Sequence, residues 1–356
     1  MTIKNYWPDL EKELSGTPPD LEERLEILRR YRKSSIRAIQ ARDLAGEFPL
    51  TLLFEELTAL AEAVLRGGYE ISTAELKKRF PEPAGAFAVI AMGKFGGREL
   101  TYGSDLDLIY LFERQEDGEY YARLGERIIT SLTLLTREGY AYRIDTALRP
   151  SGNAGTLVST LEAFREYHQK MGRTWERQAL IKARPILGDP SFLRQAAESF
   201  DAISYTAYDP KKVAREIDHL RTRMENELAR ERPGRYNLKT GRGGIVDIEF
   251  VVQYLQLIHG RANPSIRRQN TVEAIRALDR EGFLAVAKRL EKSYLFYREI
   301  ETRLRLVLEH PTDELIEGAD WMERLEGRFF KGRSLLKEYL ETREEVRAAY
   351  ERILKV

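Results

Sequence analysis

The chain has no cysteine and only four histidines, His168, His219, His259 and His310, in 356 residues. No disulfide framework, thiol nucleophile or cysteine-ligated zinc site can therefore be built. The histidines are too scattered for a local metal-binding pair and are expected at the surface or in structural roles. No apolar run reaches the ~18 residues that a spanning helix needs, and the N-terminal stretch MTIKNYWPDLEKEL lacks the apolar centre of a signal peptide. An excess of one charge is missing too: 58 Lys+Arg against 57 Asp+Glu leave a net charge of +1. That balance argues against a bulk nucleic-acid binder, which carries a basic excess or stripe, and no basic-aromatic stripe offers a single-strand platform. With 42% hydrophobic and 32% charged residues the chain is not disordered. Its length suits two or three domains. These absences leave a soluble, mostly helical protein of a reducing compartment, expected in the cytoplasm, with neither membrane nor nucleic acid as partner.

Helical spacing dominates what is present. Residues 21–42 place Leu25, Leu28, Tyr31, Ile36 and Ile39 near one helical face. Residues 49–66 predict a second helix closed by Gly67-Gly68, and Ser72 with Glu75 forms a capping box that starts a short third one. Pro81 and Pro83 then break the chain. The texture changes next: Phe87 to Met92 reads as a buried strand, followed by the glycine-rich loop GKFGGRELTYGS and a second strand from Asp105 to Phe112. A helix is expected over 119–138, a third strand over 140–149, and a helix through Gln169 opened by a Ser159/Glu162 capping box. From about residue 190 the pattern is helical to the end. Asp189-Pro190 starts one helix; Val213, Ile217, Leu220, Met224 and Leu228 line another; Asn270 with Glu273 caps a third. Phe283 to Glu309 holds no Gly or Pro and carries the i,i+4 pairs Glu299–Arg303 and Glu301–Arg305. The expected fold class is α+β, predominantly helical: an N-terminal helical segment (1–81), a sheet domain (82–190) and a C-terminal helical bundle (191–356).

The candidate chemistry lies in Gly103-Ser104-Asp105-Leu106-Asp107-Leu108. Two carboxylates two residues apart on a strand share a face, while Leu106 and Leu108 point to the core. Such neighbours repel unless a cation lies between them, and hard oxygen ligands suit Mg²⁺ shared with substrate phosphates. The competing reading is an edge strand with solvated acids, though DLDLIYLF is very apolar for one. Upstream, Gly93-Lys94-Phe95-Gly96-Gly97 offers backbone close approach to a polyphosphate; it is neither a Walker A loop nor G-x-G-x-x-G. A third acid, Asp145, comes from YRIDTALRP. With Asp105 and Asp107 it would form a three-carboxylate metal site, and Arg149 could grip a phosphate oxygen. A salt bridge between Asp145 and Arg149 at a strand end is the alternative.

The order glycine loop, Asp-x-Asp, then a single Asp on a later strand resembles the nucleotidyltransferase superfamily of the DNA polymerase β kind. More narrowly, AMGKFGGRELTYGSDLDLIYLF, YRIDTALRPSGNAGTLVS, TWERQALIKARPILGDP and GRGGIVDIEFVVQYLQLIHG resemble the glutamine synthetase adenylyltransferase family, and the similarity extends over almost the whole chain. The family enzyme usually has two such halves, one adenylylating a tyrosine of glutamine synthetase with ATP and the other removing AMP by phosphorolysis. This chain corresponds to one half, a short form or a piece of a longer enzyme. RPSGNAG and GSD look more like the adenylylating C-terminal half. The resemblance implies ATP as substrate with Mg²⁺, glutamine synthetase as protein partner and a PII signalling protein as regulator. It implies Asp105, Asp107 and Asp145 as catalytic metal ligands. Gly93, Lys94, Gly96, Gly97, Ser104 and Arg149, with Lys182 and Arg184, would form the nucleotide-binding set. For Lys182 and Arg184, in a block that also holds Trp175 and Glu176, an amphipathic solvated surface is the competing reading. The family pattern Asp-x-Arg-Leu-Arg-Pro is broken here by Ala147. Asp247 and Glu249 sit in an apolar segment. Asp247 is expected either in the first turn of a helix paired with Arg242 or, by resemblance, in a segment closing the nucleotide cleft. A silent module that only binds glutamine synthetase is the remaining alternative.

Overall fold

A computed structural model describes residues 2–16, 20–308 and 312–354; His310 and Glu309 lie outside the described residues. Contacts group the chain into two compact units, one of residues 1–172 and 182–203, the other of residues 173–181 and 204–356. Among the described residues no helix is long and apolar enough to cross a membrane.

The first unit begins with three helices, α1 (Trp7–Ser15), α2 (Leu21–Leu44) and α3 (Leu50–Lys77). Asp20 starts α2 by accepting from the Glu23 amide. The expected break at Gly67-Gly68 and restart at Ser72 are corrected: α3 is one helix of 28 residues. Its glycines mark close approach instead. A Cβ on Gly67 would lie 2.5 Å from a Leu28 methyl, and one on Gly68 would lie 2.8 Å from Ser131 Oγ. Packing there offsets glycine's ~1 kcal/mol helix penalty. Ser72 does not cap; its hydroxyl donates back to the Gly68 carbonyl at 2.7 Å.

The sheet follows with β1 (Phe87–Ala91), the single turn α4 (Gly93–Gly96), β2 (Leu106–Phe112), α5 (Gly118–Thr133), β3 (Ile144–Asp145), β4 (Val158–Thr160) and α6 (Leu161–Lys170). After α7 (Thr174–Leu180), which belongs to the second unit, come β5 (Arg184–Gly188) and α8 (Pro190–Ser204). The sheet is mixed, in the order β3-β2-β1-β5, with β4 also on β2. β1 runs antiparallel to β2 and β5, with Ala91 opposite Leu108; β3 and β4 both run parallel to β2. β1 is buried throughout, as is β2 except at Asp107. The α+β class and the helical preponderance are therefore as expected.

Several further element bounds differ from expectation: the second strand begins at Leu106 rather than Asp105, and the helix expected from Phe283 begins at Ala287. The helix predicted to residue 138 ends at Thr133. Buried Arg29 collects the carbonyls of Ser131, Leu134 and Gly139, and this folds the chain back. The third strand shrinks from 140–149 to Ile144–Asp145. Thr160, not Ser159, caps α6 by accepting from the Ala163 amide, since Ser159 is spent in β4.

The second unit holds α7, α9 (Pro210–Met224), β6 (Arg235–Asn237), α10 (Ile245–His259), α11 (Thr271–Arg280), α12 (Ala287–Val307), β7 (Glu314–Ile316), α13 (Asp320–Phe329) and α14 (Leu335–Leu354). The expectation of helix throughout is corrected by β6 and β7, which pair antiparallel with Tyr236 opposite Leu315. Asn270 caps α11 as expected. α10 is buried almost all round and forms the axis of a core shared with Ile217, Tyr297, Leu304 and Tyr350. Its amides are satisfied: Gln256 donates to the Ile266 and Arg268 carbonyls, and Gln253 accepts from Gln178. Of the histidines, His168 is buried beside Phe164, His259 stacks on Phe283, and His219 is exposed.

Candidate active site

At the end of β1 the chain reverses at once. The Met92 amide donates to the Asp107 carbonyl at 2.9 Å, and Gly93 then takes φ +52°. A Cβ at Gly93 would come within 2.5 Å of Asp107 Oδ2. Glycine is required there twice, by its left-handed backbone and by the carboxylate lying over it. Gly96 is required by close approach, since a Cβ there would overlap the Lys182 carbonyl oxygen. Gly97 closes the turn, its amide donating to the Gly93 carbonyl at 3.1 Å.

β2 emerges beside this turn. Leu106 and Leu108 are fully buried and Asp107, between them, is half-buried, so the strand alternates as its sequence requires. β2 lies between β1 and the β3/β4 edge, so the reading of Asp105 and Asp107 as acids on a solvated edge strand does not describe it. Asp107 pairs in register with Asp145 of β3. Neighbouring strands lie about 4.8 Å apart, so the two carboxylates leave one face of the sheet side by side. Asp105, exposed, stands two residues ahead of Asp107. The turn before it is tied by Ser104, whose hydroxyl accepts from the Thr101 amide at 3.1 Å.

Asp145 is exposed and its Oδ1 accepts from the Ala147 amide at 2.7 Å. Arg149 makes no ion pair with it. The guanidinium turns back on its own loop, donating to the Thr146 carbonyl and hydroxyl and to Asn153 and Gly155. Among the described residues no three carboxylate or imidazole groups close into a ready-made metal cluster. What is present is a pair of carboxylates in register, a third two residues along, and a glycine whose missing side chain leaves room for one of them.

Of the remaining cations of the predicted set, Lys94 is half-buried within the glycine turn, and Lys182 and Arg184 sit behind it. Lys182 Nζ lies 2.7 Å from Glu99 Oε2, both side chains buried. Arg184 donates to the Gly96 and Phe95 carbonyls, each at 3.0 Å, and pairs with Glu62 at 2.6 Å. Burial pushes the Arg184 guanidinium below its ordinary value, and Glu62 acts the other way. Glu62 and Glu99 were not singled out from sequence. The only available signal was an acid inside the apolar run LTALAEAVL and another inside the glycine-rich loop.

In the second unit Trp175 is partly exposed, and Glu176 caps α7 by accepting from the Arg173 amide. Asp247 lies in the first turn of α10, fully buried. Its partners are Arg221 and Arg347 and the Gly243 amide. The expected partner Arg242 instead pairs with Glu351. Glu249 is half-buried.

A mixed sheet whose first two strands flank a glycine turn, with acids paired across the next strand, defines a nucleotidyltransferase-like α+β domain. Residues 1–199 match the family model described as glutamate-ammonia ligase adenylyltransferase. The chain belongs to that family. Residues 212–354 match a second model, described as GlnD PII-uridylyltransferase. A protein of Thioalkalivibrio sulfidiphilus is 35% identical over 89% of this chain and 35% of its own length. One of Nitrosococcus oceani is 37% identical over 84% of this chain and 33% of its own length. Both are named bifunctional glutamine synthetase adenylyltransferase/adenylyl-removing enzyme. The chain thus spans about a third of the length of these relatives.

Proposed function

We propose that this chain transfers AMP from ATP to a tyrosine hydroxyl of glutamine synthetase, releasing pyrophosphate. The observation that carries the proposal is the register of Asp107 against Asp145 beside the Gly93 turn; the names of the relatives supply the reaction class and the partner. In the reaction the tyrosine oxygen attacks the α-phosphorus in line. The bond from that phosphorus to the oxygen bridging to the β-phosphate breaks, pyrophosphate leaves, and the hydroxyl proton passes to solvent.

Asp105, Asp107 and Asp145 fit a hard divalent cation by donor chemistry, since all three offer acceptor oxygens and Gly93 leaves the space that Asp107 occupies. We assign Mg²⁺ to them. Bound there, the cation would compensate triphosphate charge and lower the pKa of the attacking hydroxyl. Gly93, Lys94, Gly96, Gly97 and Ser104 would cradle the β- and γ-phosphates, while Arg149 orders the loop that follows Asp145. Arg184 serves the same cradle by holding its backbone from behind, and Lys182 by pairing with Glu99 in the loop that follows it. A PII signalling protein is the regulatory partner this reading implies.

Incubation with α-labelled ATP and unmodified glutamine synthetase should place label on the synthetase, and chelation of divalent cations should stop it. Label released from pre-modified synthetase by phosphate, without the forward reaction, would assign the removing direction instead. Asp105→Asn should cut transfer by about a hundredfold or more; unchanged transfer would sink the carboxylate assignment.

A further inference from the structure

Resting on the reading of the glycine turn as the phosphate cradle, we infer that Glu62 of α3 is a positioning residue for nucleotide binding, acting through Arg184. Arg184 reaches the turn from β5 and uses its planar fork on two successive backbone carbonyls, those of Phe95 and Gly96. These carbonyls end α4, the turn whose opposite end, Gly93, packs against the Asp107 carboxylate. A shift of the guanidinium therefore moves both carbonyls and with them the backbone of the cradle.

Glu62 fixes where that guanidinium sits. It holds Arg184 at 2.6 Å, while the Arg184 side chain is only 13% exposed and that of Glu62 37%. Arg98, just past the turn in a left-handed conformation, repels Arg184. Without Glu62 a largely buried cation would face another cation with only neutral carbonyls to hold it. The long helix α3 is thereby tied to the glycine turn by one carboxylate. That carboxylate also lines an open cavity of about 230 Å³ with Lys4, Trp7, Arg66 and Ile186, so it stays within reach of water and small solutes.

The test compares Glu62→Gln, Glu62→Asp and Arg184→Lys with Glu70→Gln, a control on the same helix whose ion pair with Arg66 is exposed. ATP affinity is measured by titration with a non-hydrolysable ATP analogue and Mg²⁺, and KM and kcat for AMP transfer are measured alongside melting temperature. Because cradle contacts are made in both ground and transition states, Glu62→Gln should raise KM for ATP and weaken analogue binding about three- to tenfold, with kcat changed less than about twofold. Glu62→Asp should recover part of the loss, Arg184→Lys should exceed it, and Glu70→Gln should match the wild type. The double variant Glu62→Gln/Arg184→Lys should be no worse than Arg184→Lys alone. Wild-type ATP binding in Glu62→Gln overturns the inference. So does a loss that affects KM and kcat equally and follows the melting temperature, because that is a folding defect. A wild-type chain that binds no ATP overturns the cradle reading itself, whereas a binding wild type with an unaffected Glu62→Gln overturns only the role of Glu62.

Discussion

Gly93→Ala isolates the contact on which the active-site reading turns. Its cost has two parts. The first is conformational: at φ +52° an L-residue with a Cβ pays about 1–2 kcal/mol. The second is steric: the new methyl would sit 2.5 Å from Asp107 Oδ2, roughly 1 Å inside comfortable contact. Asp107 cannot retreat along β2, where its neighbours Leu106 and Leu108 are fully buried and its carbonyl accepts from Met92. The carboxylate must swing, and it leaves its alignment with Asp145. A displacement of ~1 Å at a reacting centre costs on the order of a hundredfold in rate. The expected outcome is AMP transfer reduced about a hundredfold while stability falls by only about 1–2 kcal/mol in urea denaturation. Gly46→Ala supplies the comparison, because Gly46 has φ +73° with nothing within 4 Å of a new Cβ. It should show the same stability loss and full activity. If Gly93→Ala also kept activity within about threefold, Asp107 would not be acting from the position described here.

Two further predictions concern the second unit. Asp247→Ala would leave Arg221 and Arg347 buried without their shared carboxylate and should lower stability by about 3–5 kcal/mol; Asp247→Asn, which still accepts from Gly243, should cost less, and equal urea midpoints for wild type and Asp247→Ala would contradict this. His259, stacked on Phe283, is held by burial below its ordinary pKa, so the unfolded chain binds the proton more readily and stability is lost as pH falls through the unfolded value near 6.5. Melting temperatures from pH 8 to 5 should drop more steeply for the wild type than for His259→Phe, and parallel curves would remove His259 as the cause.

How much of this was legible in the sequence depends on which physical signal each feature leaves. β1 and β2 were readable because buried strands are short apolar runs, and the alternation of Leu106, Asp107 and Leu108 survives inside β2, although that strand begins at Leu106 and leaves Asp105 just before it. Long-range packing was not readable. Gly67-Gly68 looks like a helix stop until Leu28 and Ser131 are placed against it, and the chain turns back after Thr133 because the Ser131 and Gly139 carbonyls are gathered by an arginine more than a hundred residues upstream. β5 contains Pro185 and carries only half-buried residues, which mutes its pattern. The basic side chains are expected at the nucleotide by type; that Arg149 and Arg184 also grip backbone carbonyls and Lys182 an interior acid leaves no local signal in the sequence.

The strand beside β2 is in effect one strand cut in two. β3 covers Leu106 and Asp107, β4 covers Tyr110 to Phe112, and residues 146–157 depart from the ladder between them. An excursion placed there can grow, shrink or change composition without shifting the pairing on either side, because each piece is registered separately against β2. The place where the chain steps out directly follows Asp145, so new surface can be grafted next to that carboxylate while the pairing that aligns it with Asp107 is left untouched.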